Sequence, residues 1–342
     1  MSRTRPETVI AGAGLMGRWH GVYARRLGAC IKGIVDSNPK AARHLARKLG
    51  GSTVFTDLEE CLLQTSAPIV HICTPAASHF DLARTALRAG RHGLMEKPFA
   101  ADSGHSRALL RLAQERDLRI SCVHQWPFQD GFRKLTMLRK RLGQLVALRY
   151  GLCSAGGAGL DPDQRLRLLF EILPHPFSLL YALLGQDTFR SHWRVAASSS
   201  DHLELNGRIG PLPVCLFLSL QARPTRNQLT LFGRDASCQL DLFHGFCRWS
   251  QAPVSRTSKL LNPFREATAT LAGAGWNLVL RCGRREWAFP GLSPLIRAFY
   301  RSVDGVGEVP VGAEEIVGIA EWIDWLRSKM MQGGPESKEE GD

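Results

Sequence analysis

No run of this 342-residue sequence approaches the roughly 20 consecutive apolar residues that a bilayer-spanning helix needs. A secretory leader is not expected either, because Met1-Ser2-Arg3-Thr4-Arg5-Pro6-Glu7 is charged and leads straight into a glycine-rich turn instead of an apolar core segment. The nine cysteines are scattered, with no CxxC pair and no Cys/His cluster at zinc-ligand spacing. Small buried hydrophobes describe them best, so neither a disulfide framework nor a metal site is expected. These absences together favour a cytoplasmic address. Blocks of like charge are also lacking. The net charge of +13 is spread along the chain, and no nucleic-acid fold signature accompanies it, so nucleic acid is not expected as a partner. A solvated basic surface is the main reading, with an anionic substrate or surface as the alternative. At 44% hydrophobic the chain is long enough for two domains with real cores. No internal repeat is visible.

What is present begins with Val9-Ile10-Ala11-Gly12-Ala13-Gly14-Leu15-Met16-Gly17, an apolar run feeding a G-x-G-x-x-G turn. Gly12 permits a tight turn, Gly14 lets backbone amides approach a pyrophosphate, and Gly17 lets the next helix pack on its strand. Leu15 and Met16 then open a helix whose positive end faces the phosphates. The following strand-like run, residues 30–35, ends in Asp36, with Ser37 beside it. An acidic group there accepts hydrogen bonds from ribose hydroxyls and repels a 2′-phosphate, so NAD(H) is favoured over NADP(H). Arg43 and Arg47, on a helix beginning near Pro39, are the residues able to reverse that preference.

Strand-like runs at 9–13, 30–35, 53–55, 69–73, 93–95 and 120–123 alternate with helical patterns at 40–49, 80–89 and 103–115. Asp102 or Ser103 is the expected cap for the last helix. Such βα alternation specifies a doubly wound parallel sheet of the Rossmann type over residues 1–124. A helix over 129–142 then precedes successive strands at 145–150, 202–208, 214–220, 228–232 and 237–242, and helices follow at 170–184, 292–303 and 314–331. Residues 125–331 therefore read as an α+β domain with a mostly antiparallel sheet for substrate binding and oligomerisation, and polar residues 332–342 as a disordered tail.

Five features stand in order: the glycine turn with His20 after it, Asp36, Ile72-Cys73-Thr74-Pro75-Ala76-Ala77-Ser78-His79, Glu96-Lys97-Pro98, and Glu171-Ile172-Leu173-Pro174-His175 with Leu184-Gly185 behind it. Together they resemble the Gfo/Idh/MocA family of glucose-fructose oxidoreductase and inositol dehydrogenase-like enzymes, from about Thr8 to about Arg327. Thr74-Pro75 ends an apolar strand on the edge where dinucleotides bind. The resemblance implies that Thr74, Pro75, His79, Glu96 and Lys97 lie at the cofactor, that Lys97 is the general acid/base, and that His175 hydrogen-bonds the reacting hydroxyl. A lysine beside a nicotinamide can take the hydroxyl proton in oxidation and return it in reduction.

Glu171 and His175 are four apart on the expected helix and so share a face, where the carboxylate can orient the imidazole or reach the same substrate. The family commonly has Asp at the Glu171 position, and Pro174 is also a departure. Gln125, Trp126 and Phe128 fall at the join between domains, Trp126 and Phe128 with packing as their main role. The implied activity is NAD(H)-dependent interconversion of a hydroxyl and a keto group on a sugar, cyclitol or nucleotide-sugar-like small molecule, by a homodimer or homotetramer. The alternatives are reduction of a non-sugar carbonyl or imine, and a catalytically silent nucleotide-binding regulatory protein of the same fold.

Residues 256–285 carry Leu260, Leu261, Phe264, Leu271 and Leu278 at helical spacing, among basic residues that include Lys259, Arg265, Arg281, Arg284 and Arg285. Packing on the second domain or at a subunit interface is the main expectation. Contact with an anionic membrane surface is the alternative.

Overall fold

The computed structural model describes residues 5–251 and 255–332. Short, largely buried runs form the first sheet: β1 (Glu7–Ala11), β2 (Cys30–Val35), β3 (Thr53–Phe55), β4 (Ile69–Ile72), β5 (His92–Met95) and β6 (Ile120–Cys122). All pairs are parallel, in the order β3-β2-β1-β4-β5-β6. The chain reverses direction across the sheet between β1 and β4, which opens a crevice at their C-terminal ends, where ligands of such sheets bind. Helices α1 (Leu15–Arg26), α2 (Pro39–Lys48), α3 (Leu58–Gln64), α4 (His79–Arg88) and α5 (Ser103–Glu115) make the crossovers. Three start on side-chain caps, at Asn38, Asp57 and Asp102, each accepting from backbone amides of the first turn.

The second sheet is built from β7 (Leu145–Cys153), β8 (His192–Ser198), β9 (His202–Ile209), β10 (Leu212–Ser219), β11 (Arg226–Gly233), β12 (Ser237–Asp241) and β13 (Phe246–Ser250). Its order is β13-β12-β11-β7-β10-β9-β8, antiparallel except where β10 runs parallel to β7. Leu148, Tyr150, Leu205, Leu216 and Leu229, alternate residues of their strands, pack with Phe177 and Leu180 of one helix and Trp322 and Leu326 of another. Helices α6 (Asp130–Leu138), α7 (Pro162–Ile172), α8 (Pro174–Leu184), α9 (Asp187–Arg190), α10 (Arg256–Arg284), α11 (Leu292–Val303) and α12 (Ala313–Gln332) complete the chain.

Three sequence expectations need correction. The helix over 170–184 is two helices, because Pro174 has no amide proton to continue the first and instead starts α8. The helix over 129–142 stops at Leu138 and ends in a 3-10 turn, Arg139–Leu142. Leu292, Leu295, Ile296, Phe299 and Tyr300 of α11 share a core with Tyr23, Ile69 and Leu94 of the first sheet and its helices. Finally, Gln332 belongs to α12, while the rest of the expected tail, 333–342, lies outside the described residues. One described stretch, Pro162–Leu184, is long and apolar enough to cross a membrane by length and composition, yet over half of it is buried within the protein.

Candidate active site

The glycine turn fits a dinucleotide. Gly12 has φ +100°, and a Cβ there would stand 2.6 Å from the Cys73 carbonyl oxygen; one on Gly17 would stand 1.8 Å from the Gly12 oxygen. Both positions exclude side chains by contact with backbone, which cannot move aside cheaply. Gly14 is the opposite case, with nothing within 4 Å of its notional Cβ. That open space lies at the start of α1, where no side chain caps the helix and no acidic residue occupies the first turn. The amides of Leu15, Met16 and Gly17 are thus free for an anion.

Asp36 stands beside this turn. Its carboxylate accepts from the Ala13 amide at 2.7 Å and from the Asn38 amide at 2.8 Å, which fixes its orientation at the end of β2. Ser37 is exposed next to it, and Arg43 and Arg47 are exposed on α2.

On the other side of the switch point, Thr74 and Pro75 leave β4. His79 is buried rather than presented to the crevice: its ring nitrogens lie 2.8 Å from the Pro98 and Thr74 carbonyl oxygens and tie the loop after β4 to the loop after β5. Glu96 is also turned inward. Its carboxylate lies 2.9 Å from His20 Nε2, His20 Nδ1 lies 2.8 Å from His71 Nδ1, and His71 Nε2 lies 2.9 Å from the Tyr300 hydroxyl. All four side chains are buried. Glu96 and His79 therefore brace the loops after β4 and β5 through buried hydrogen bonds. Burial and the charge of His20 push the His71 pKa well below its ordinary value.

Lys97 extends toward the second domain, where Nζ donates to the main-chain carbonyl of Glu171 at 3.1 Å. The break at Pro174 separates Glu171 from His175. Glu171 is exposed at the end of α7, whereas His175 is buried at the start of α8 and stacks on Trp126, centroids 4.3 Å apart. The shared helical face expected for the pair is absent. Instead Lys97 reaches Glu171 through its backbone, and burial together with the Lys97 and His124 charges pushes His175 well below its ordinary pKa. Among the described residues, the buried His175 Nδ1 has no hydrogen-bond partner.

His124 lies 2.7 Å from Glu315 of α12. Burial opposes its charge, but the Cys122 sulfur and the Glu315 carboxylate carry its pKa up to about 10. A cleft of about 700 Å³ opens in front of these groups, with Pro75, His124, Arg167, Phe170, Glu171 and Arg327 among its walls. Lys97 and His175 do not line it.

Residues 7–124 match the family described as an oxidoreductase family with an NAD-binding Rossmann fold. The first domain is thus similar to the NAD-binding domain of the Gfo/Idh/MocA family. UDP-N-acetylglucosamine 3-dehydrogenase of Acidithiobacillus ferrooxidans is 35% identical over 120 residues, 34% of this chain and 36% of the relative. The myo-inositol dehydrogenase Hyg17 of Streptomyces leeuwenhoekii is 25% identical over 181 residues, 52% of this chain and 55% of the relative. The chain thus spans about a third to a half of the length of these curated relatives. The fold as a whole is shared with the WlbA dehydrogenase of Bordetella pertussis, solved with NADH and UDP-GlcNAcA. That likeness has TM-score 0.76 at 15% identity and covers 98% of each chain.

The glycine turn, Asp36, Thr74, Pro75 and Lys97 lie at the C-terminal edge of the first sheet, and the charge of Lys97 reaches His175 on α8. Sequence reasoning missed His71, Tyr300, His124 and Glu315. His71 stands 229 residues from Tyr300 and His124 191 from Glu315, so no local pattern could have paired them.

Proposed function

We propose that the protein interconverts a hydroxyl and a keto group on a sugar, cyclitol or nucleotide-sugar-like molecule, with NAD(H) as redox partner. When bound, the nicotinamide supplies or accepts the hydride. The observation carrying this reading is the pairing of Lys97 with His175. Lys97, in the loop after β5, donates to the Glu171 carbonyl, and its charge helps hold neutral a buried imidazole whose Nδ1 is unpartnered among the described residues. An unpaired buried nitrogen carries a penalty of about 1–3 kcal/mol, which a substrate hydroxyl would relieve.

Lys97 Nζ, as the neutral amine, takes the hydroxyl proton in oxidation and, as the ammonium, returns it in reduction. Its bond to the Glu171 carbonyl sets the reach of the amine, and the stacked Trp126 ring sets the plane of His175. Glu171, exposed on the cleft wall, contributes its carboxylate to substrate rather than to His175. Asp36 supports the preference for NAD(H), since its fixed carboxylate suits ribose hydroxyls and opposes a 2′-phosphate.

The test is Lys97→Met, assayed by NADH formation with UDP-N-acetylglucosamine and myo-inositol as probe substrates, alongside a wider polyol and nucleotide-sugar panel. NADH binding should persist while turnover drops by roughly 10²–10⁴-fold. Wild-type rates in Lys97→Met on a substrate the native protein oxidises would exclude the mechanism.

A further inference from the structure

Helix α10 is turned the opposite way from an ordinary surface helix. Its polar residues face the protein: Glu266 pairs with Arg248 at 3.5 Å, Asn277 donates to the His244 carbonyl at 2.8 Å, and Arg281 donates to the same oxygen at 3.2 Å. Its apolar residues face outward, with Leu260, Phe264, Leu271 and Leu278 exposed by 74, 70, 76 and 62%. At 3.6 residues per turn, these four with Leu261 and Val279 fill an arc of about 100° that holds no charged residue.

The charge of the helix indicates what covers that face. Arg256 and Arg265 are exposed beside the stripe, Arg281 and Arg284 are tied to His244 and Asp130, and the single carboxylate of the helix, Glu266, is turned inward to Arg248. Two copies meeting through α10 would oppose like charges around the seam, which is costly. An anionic lipid surface meets both requirements, since it accepts the apolar stripe into its headgroup boundary and attracts the cations beside it. Trp276 and Trp287 are likewise exposed, and such amphipathic rings favour the membrane–water interface. Twenty-nine residues give a helix of about 43 Å, long enough for a sustained contact in the membrane plane.

We propose that the outward face of α10 docks on an anionic bilayer, lying in the interface without crossing it. The C-terminal end of the helix is fastened to α6, where Arg284 pairs with Asp130 at 2.5 Å, and the segment just after it to the first domain, where Tyr23 donates to the Ala288 carbonyl at 2.5 Å. Docking therefore holds the whole molecule at the surface.

The test is co-sedimentation of the full chain with vesicles of phosphatidylcholine containing phosphatidylglycerol, against vesicles of phosphatidylcholine alone. Binding is expected only with the anionic lipid, with release as salt rises and a blue shift of tryptophan emission on binding. Arg265→Glu should weaken it by about thirtyfold, since it removes one attraction and adds one repulsion. Phe264→Glu combined with Leu271→Glu should abolish it while circular dichroism and thermal midpoint stay unchanged, because both side chains are solvent-exposed. Failure to bind anionic vesicles, or undiminished binding by Arg265→Glu, overturns the proposal. So does a lipid-free dimer that Arg265→Glu or the double variant dissociates, which would assign the face to a second copy.

Discussion

His20 Nδ1 lies 2.8 Å from His71 Nδ1, so one of these two nitrogens carries a proton and the other does not. With Glu96 as a carboxylate and both imidazoles neutral, the pattern closes in a single direction. Tyr300 donates to His71 Nε2, His71 Nδ1 donates to His20 Nδ1, and His20 Nε2 donates to Glu96. The row runs from α11, through β4 and α1, to the residue before Lys97. It links the C-terminal part of the chain to the cofactor edge.

Tyr300→Phe should therefore leave His71 Nε2 buried without a partner and lower stability by about 1–3 kcal/mol. His20→Leu strips partners from both Glu96 and His71 and should lower it further. Chemical denaturation of the two variants checks the order.

The glycine turn gives a sharper pair. Gly14→Ala meets open space, so its thermal midpoint should match the native protein while NADH affinity falls, because the methyl group fills the approach to the pyrophosphate. Gly17→Ala meets the Gly12 carbonyl oxygen and should lose stability and NADH affinity together. Calorimetric titration beside thermal unfolding separates them.

For Asp36→Ala, the preference for NADH over NADPH should narrow by about 1–3 kcal/mol in binding free energy. NADH itself should also bind more weakly, since the Ala13 and Asn38 amides lose their acceptor. Fluorescence titration with both nucleotides measures this, and tighter NADPH binding by the unmutated protein would transfer cofactor choice to Arg43 or Arg47.

Stability should fall on both sides of a maximum in pH. His71 and His175 titrate below the ordinary histidine value when folded, so below about pH 6.5 the unfolded chain binds protons that the folded one refuses. Each takes up to about 1.4 kcal/mol of stability per pH unit on the acid side. His124 has the opposite sign: its contribution is complete below about pH 6.5 and is lost as pH rises toward its folded value of about 10. Denaturation midpoints across this range should show a flatter alkaline limb in His124→Gln and a flatter acid limb in His175→Gln.

Local chemistry was enough for the first domain and the outline of the second. The spacing Gly12, Gly14, Gly17 and the acidic end of β2 depend on backbone geometry within a few tens of residues, and alternating apolar residues report a sheet's buried face directly. The helix at 256–284 was equally legible, since its periodicity lies in its own residues. Which side of it faces water was not, because that depends on Arg248 and His244 presenting polar partners from and beside β13. The same limit applies at the site. Four-residue spacing paired Glu171 with His175 only on the assumption of an unbroken helix, and Pro174 breaks it. Tertiary structure alone brought α11 under the first sheet, set Tyr300 against His71 and Glu315 against His124, and turned His79 and Glu96 inward. Contacts across some two hundred residues are decided by which buried polar groups find partners, and that is a property of the assembled core.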